Sequence, residues 1–177
     1  MTTRKRTRGG PQWTSVPVRY SPPTLSPADK VRQARMLIQS RKHYRQHRYT
    51  TRKPVRSYTN RVSKHIRRAQ TQYGLSSIRP SRALSRATGC SLSALRKIVR
   101  KGEGAYFSSG SRPNQTAQSW GIARLASSLT AGKSAAVDFA ILEKGCDHRK
   151  TAFRLAKQSR KKHGYGQSPT RKIKIRI

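Results

Sequence analysis

Ser81-Arg82-Ala83-Leu84-Ser85-Arg86-Ala87-Thr88-Gly89-Cys90-Ser91-Leu92-Ser93-Ala94-Leu95-Arg96-Lys97-Ile98-Val99-Arg100 is the stretch on which the fold turns. A short helix, a turn at Gly89 and a second helix capped by Ser91 or Ser93 are predicted, because serine oxygens satisfy the first free backbone N–H groups of a helix. Leu84, Ala87, Leu95 and Ile98 then form a shared apolar seam, and Gly102 and Gly104 are expected to end the unit. The spacing is that of a helix-turn-helix. In that reading Arg86, Ser91, Ser93, Arg96, Lys97, Arg100 and Lys101 face phosphates or bases. A plain two-helix corner with solvated cations fits the same degenerate pattern.

Outward on the C-terminal side, Tyr106 to Gln115 reads as a polar loop flanked by aromatics and held by Pro113. Thr116 caps a helix through Trp120, Ala123, Ala126 and Leu129. Ala131-Gly132 breaks it, and Ser134 caps another carrying Val137, Ile141 and Leu142 up to Gly145. Residues 148–162 extend as a basic helix with Phe153 and Leu155. The last six residues, Lys172-Ile173-Lys174-Ile175-Arg176-Ile177, alternate strictly, so a strand places three isoleucines on one face and three cations on the other.

Outward on the N-terminal side, Ser26-Pro27-Ala28-Asp29 starts a helix with Val31, Ala34, Leu37 and Ile38 as its apolar stripe, running to about His47. Val62, His65, Ile66, Ala69 and Tyr73 repeat at helical spacing up to Gly74. Between these helices Tyr49 to Asn60 is a polar, basic linker. The expected architecture is mainly α. It divides into an extended, basic, proline-rich arm (1–25), basic helices and linker (26–80), a helical core (81–146), and a basic C-terminal helix with a strand-like tail (147–177).

Charge dictates the class of partner. Among 177 residues, Lys and Arg number 41 and Asp and Glu five, a net +36. The charge is spread as +19 over residues 1–80, +6 over 81–147 and +11 over 148–177. Self-repulsion of this size works against a compact state until anions from outside neutralise it. Hydrophobic residues make up 33% of the chain, below the roughly 45–50% usual for soluble domains. No apolar run reaches the about 20 residues of a membrane helix. Met1 to Arg6 is basic without the apolar run of a signal peptide, so an intracellular protein is expected.

The chemical motifs are weak. Gly132-Lys133-Ser134 resembles the end of a phosphate loop, but Ser127 stands where the first glycine is needed. His43 and His47 have metal-ligand spacing amid Arg41, Lys42, Arg45 and Arg48, which repel a divalent cation. Asn114-Gln115-Thr116 is a glycosylation acceptor only in a secreted chain. Cys90 and Cys146 are too few for a disulfide framework. They read as buried small hydrophobes, with a single disulfide as the alternative. Five acids without a close pair supply no acid–base couple. The expectation is a protein that is not an enzyme, with no catalytic or metal-binding residue, no cofactor and no small-molecule substrate.

Gly104-Ala105-Tyr106-Phe107-Ser108-Ser109-Gly110-Ser111-Arg112-Pro113-Asn114-Gln115-Thr116, followed by Ser119-Trp120-Gly121-Ile122-Ala123-Arg124-Leu125-Ala126-Ser127 and Gly132-Lys133, carries a resemblance. With Ala87-Thr88-Gly89-Cys90, Leu95 to Val99, Leu25 to Lys30 and His65 to Gly74, the chain resembles an uncharacterised family encoded by large double-stranded DNA viruses of algae and protists. The resemblance implies a viral origin and a virion component, and supplies no catalytic residues.

Charge and resemblance together give the expected function, a minor capsid protein on the inner face of an icosahedral shell. It would staple the major capsid protein and other minor capsid proteins through extended basic arms. Trp13, Tyr20, Tyr44, Tyr49, Ile173, Ile175 and Ile177 are the candidate apolar anchors. Viral DNA or the anionic surface of an inner membrane are further partners on charge grounds. The alternative function is a virion DNA-binding or condensing protein that uses the helix-turn-helix-like unit.

Overall fold

The computed structural model describes residues 12–166 and 170–177. The expected proline-rich arm begins in residues 1–11, outside the described residues. The chain is mainly helical: α1 (Pro27–Arg45), α2 (Lys64–Tyr73), α3 (Arg82–Thr88), α4 (Leu92–Ser108), α5 (Ala117–Leu129), α6 (Lys133–Val137), α7 (Phe139–Gly145) and α8 (Thr151–His163), with strands β1 (Trp13–Pro17) and β2 (Lys172–Arg176).

Local chemistry sets most helix ends. The Ser26 hydroxyl accepts from the Asp29 N–H, with Pro27 at the first position of α1. Ser81, Ser91 and Thr116 cap α3, α4 and α5 in the same way. Gly74 ends α2, and Gly89 ends α3 at φ +69°, a left-handed conformation that costs a residue with a Cβ.

Two sequence expectations fail at α4. The helix runs on through Gly102 and Gly104 to Ser108, so Tyr106, Phe107 and Ser108 are helical rather than loop. Gly102 is not a stop but a contact: a Cβ there would lie 2.6 Å from the Cα of Gly121 on α5. The two helices pack backbone to backbone, and their glycines make that approach sterically possible.

The main core gathers Leu84, Leu95, Ile98, Leu125, Leu129, Leu142 and Phe153, with Ala69 and Ile78 from before residue 81 and Ala152 and Ala156 from α8. Of the expected seam, Leu84, Leu95 and Ile98 are buried, whereas Ala87 is exposed and Thr88 takes its place. Val137 is exposed, because the expected last core helix breaks at Asp138 into α6 and α7. Cys90 and Cys146 are buried and joined in a disulfide across 56 residues. They lie opposite each other in a short antiparallel bridge, flanked by bonds from Ser91 N–H to the Gly145 carbonyl (2.6 Å) and from Asp147 N–H to the Gly89 carbonyl (2.8 Å).

A second, smaller cluster joins Val16, Tyr20, Ala34, Leu37 and Ile175, with Trp120 and Ile173 at its margin. Here β2 pairs antiparallel with β1, Trp13 opposite Arg176 and Val16 opposite Ile173. The strictly alternating tail therefore finds its strand partner in the described part of the N-terminal segment. On α1 the buried face is Gln33, Ala34, Leu37 and Ser40, while Ile38 of the expected stripe is exposed. The polar members are satisfied: Gln33 donates to the Tyr20 carbonyl (3.2 Å) and Ser40 to the Phe107 carbonyl (3.3 Å).

Candidate nucleic-acid interface

α4 buries Ala94, Leu95, Ile98 and Val99 and turns Ser93, Arg96, Lys97 and Arg100 to solvent. These exposed positions repeat at three and four residues and lie on one side of the helix. Arg86 is exposed on α3. Ser91 is exposed, but its hydroxyl accepts from the Ala94 N–H at 3.2 Å and meets the Ser93 hydroxyl at 3.1 Å. The Ser91 hydroxyl thus serves the cap, with the Ser93 hydroxyl beside it. The start of α4 is also clasped by the end of α7, where a Cβ on Gly145 would lie 2.4 Å from that of Ala94. A recognition helix that enters the major groove leads with its N-terminal residues. In α4 that end is tied down by the disulfide bridge, and the solvent-facing cations lie further along.

Lys101 belongs elsewhere than in a row of free cations. It reaches Asp138, Nζ to Oδ1 at 3.0 Å. Asp138 is fully buried at the α6–α7 break and also takes two bonds from the Arg124 guanidinium (2.8 and 2.7 Å) and one from the Ser128 hydroxyl (3.1 Å). This cluster binds α4 and α5 to the α6–α7 break, and nothing in the sequence spacing signals it.

The structure adds a basic stripe that the sequence placed in a helix but not in a site. α8 buries Ala152, Phe153, Ala156 and Ser159. Its far side, with the residue before it, exposes Lys150, Arg154, Lys157 and Lys161. The residue before α8 meets the α3–α4 turn close to the disulfide. A Cβ on Gly89 would lie 2.4 Å from Cγ of Lys150, so the lysine stem crosses the α3–α4 turn. The start of the α8 row thereby lies against the α3–α4 turn, next to the disulfide.

A second group of residues fixes the 49–60 linker. The Arg52 guanidinium sits 3.7 Å over the Tyr106 ring and donates to the Ser40 hydroxyl (3.0 Å), the Tyr106 carbonyl (3.0 Å) and the Ser111 hydroxyl (2.6 Å). No carboxylate is among these partners, and burial lowers the Arg52 pKa. Asn114, in the left-handed region at φ +56°, spends its side-chain amide on Val55 and Tyr58. The Asn114-Gln115-Thr116 sequon therefore holds the linker against the 109–116 loop.

The expected anchors are divided. Tyr20 and Ile175 are buried within the chain, and Ile173 and Ile177 pack against the same cluster. Tyr44 meets Tyr49, which also stands edge-on to Phe107 at 5.2 Å although it is 63% exposed. Trp13, also 63% exposed, makes no ring contact among the described residues. Tyr20 also meets Trp120 edge-on, and Phe107 meets Tyr106.

His43 faces Thr50 and His47 is exposed, with no cluster of three metal-ligating side chains among the described residues. No helix among the described residues is long and apolar enough to cross a membrane.

A protein-family model described as a family of unknown function, DUF5824, matches residues 17–147. No curated protein and no solved structure matches the chain.

Proposed function

The chain belongs to DUF5824, a family of unknown function, and from its own surface we propose that it is a structural, non-enzymatic nucleic-acid-binding protein, holding duplex DNA through the cationic stripes of α4 and α8. The observation that carries this reading is a net +36 left on a folded chain, with Arg96, Lys97 and Arg100 exposed in a row on α4 and Arg154 and Lys157 exposed on α8. Binding DNA releases the counterions condensed on its phosphates, so such a surface gains affinity without reading sequence. The Ser91 hydroxyl is spent on the Ala94 N–H at the end of α4 that would lead into a groove, which favours phosphate contacts over base contacts.

The resemblance to proteins of large double-stranded DNA viruses supplies the setting. The DNA is the packaged genome, and the location is the inner side of the virion. The capsid reading stands second, with the major capsid protein and other minor capsid proteins as partners. Exposed Tyr49 and Val62 favour it as apolar contacts. The pairing of β1 with β2 weakens it, because two of its proposed anchors, Tyr20 and Ile175, are already buried in their own chain.

Ultraviolet crosslinking in intact particles separates the two readings. Peptides from α4 and α8 crosslinked to DNA are expected on the first. Icosahedrally ordered density for the chain against the shell, with no DNA crosslink, would replace it with the second.

A further inference from the structure

We propose that the outer face of the β1–β2 ribbon binds unpaired nucleotides, the Trp13 indole stacking on a base while Lys172, Lys174 and Arg176 hold the flanking phosphates. This rests on the nucleic-acid reading and deepens it, adding a single-strand site to a duplex-binding surface.

The register builds the face. Directly opposed residues of an antiparallel pair point to the same side. Trp13 with Arg176, Ser15 with Lys174 and Pro17 with Lys172 therefore share one side of the ribbon, and Thr14 with Ile175 and Val16 with Ile173 share the other. Burial assigns the sides: Val16 and Ile175 are inside, whereas Trp13, Ser15, Lys172, Lys174 and Arg176 are exposed. Trp13, Thr14, Ser15 and Lys174 line a shallow concavity of about 400 Å³. No acidic side chain occurs in residues 12–20 or 170–177.

Three cations around one open indole fit a single strand better than the other polyanions. In a duplex the faces of the bases are already stacked, so an exposed indole gains little there. An unpaired base offers its π-face to any aromatic, at roughly 1–3 kcal/mol per stacked base. An anionic membrane surface rewards cations too, but insertion needs a broad apolar face. Among the described residues, Trp13 is the one aromatic on that side, its neighbours there being Ser15, Pro17 and three cations.

The test uses the full chain carrying Trp120→Phe, which keeps the edge contact to Tyr20 and leaves Trp13 as the sole indole. The probes are an oligothymidylate of about 20 nucleotides, an abasic strand with the same phosphates, a duplex, and phosphatidylserine vesicles. Quenching of Trp13 by oligothymidylate but not by the abasic strand is expected. In the wild-type background, Trp13→Ala is expected to weaken oligothymidylate binding about tenfold while leaving duplex binding unchanged.

Equal quenching by the abasic strand, or an unchanged oligothymidylate affinity in Trp13→Ala, overturns the stacking site and leaves the duplex reading intact. A Trp13 response to vesicles alone overturns it in favour of a membrane surface. Failure of every nucleic acid to bind at about 150 mM salt overturns the proposed function as well.

Discussion

The two packed clusters solve the problem of a highly charged chain differently. The helical core closes itself with a covalent bond at Cys90–Cys146 and a buried ion cluster at Asp138, each joining segments far apart in sequence. Among the described residues the ribbon layer has neither. Its few buried side chains are held by strand pairing, by apolar contact with α1, and through the adjoining linker by Arg52, whose charge meets only neutral oxygens and an aromatic face. The core contains a large share of the chain's few carboxylates; the ribbon contains none on its side chains. Packing is thus secured covalently and ionically in the core and by neutral contacts in the ribbon layer, while the exposed cations of α4, α8 and β2 are all left facing solvent.

The sharpest way to break that contrast is Asp138→Ala. It leaves the Arg124 guanidinium without its buried partner, and about 3–5 kcal/mol of stability is expected to be lost, read as a drop in the denaturant midpoint of the helical signal. A loss under about 1 kcal/mol would place the Asp138 cluster on the footing of a surface pair.

Reducing the disulfide comes next. Its 56-residue separation gives a chain-entropy contribution of at most about 4 kcal/mol. Reduction is expected to lower the melting temperature of the core while the fluorescence of Trp13 on the ribbon stays constant below the transition. A simultaneous change of Trp13 before the core melts would show that the layers are not separable.

The two interior glycines of α4 provide a smaller, two-signed test. Gly102→Ala forces a methyl against Gly121 and is expected to cost about 1–3 kcal/mol. Gly104, whose added Cβ would meet nothing within 4 Å, is expected to gain about 0.5–1 kcal/mol on replacement by alanine. Denaturation curves of both variants check this; equal signs would refute the assigned roles.

The smallest effect belongs to His65, half-buried beside Thr130 and Gly132. Burial first, and then the nearby Arg68 charge, lower its pKa from the usual 6.5. The unfolded chain then takes up the proton at a higher pH than the folded one. Stability therefore falls as pH drops below 6.5 toward the lowered value, and is constant above it as far as this group is concerned. His65→Gln is expected to flatten that slope in thermal melts between about pH 5 and 7.

Local signals were legible. Ser26-Pro27, Gly74, the Gly89 turn and Thr116 mark ends that the structure keeps, because caps and left-handed turns are decided within a few residues. Gly102 misled for a physical reason: a helical glycine reads as a stop unless one knows which backbone crosses it. The linker from Tyr49 to Asn60 read only as polar and basic, because its order comes from Arg52, Asp29 and Asn114 through bonds that span 28 to 59 residues. The exposed cations of α4 were readable from helical spacing, but not the detachment of Lys101 to Asp138. The joining of α8 to the α3–α4 turn depends on a disulfide that the spacing left open.

The central claim is that duplex DNA is held by a particular face and not by net charge alone. The most direct measurement compares the salt dependence of duplex affinity in two variants that each lose five cations. One replaces Arg96, Lys97, Arg100, Arg154 and Lys157 with glutamine; the other replaces the equally exposed Arg32, Arg35, Lys53, Arg56 and Arg67. The slope of log affinity on log salt is predicted to fall by about 4.5 in the first, at about 0.9 per phosphate contact, and by less than about 1 in the second. Equal falls in the two variants would contradict the account and leave only an undirected polycation.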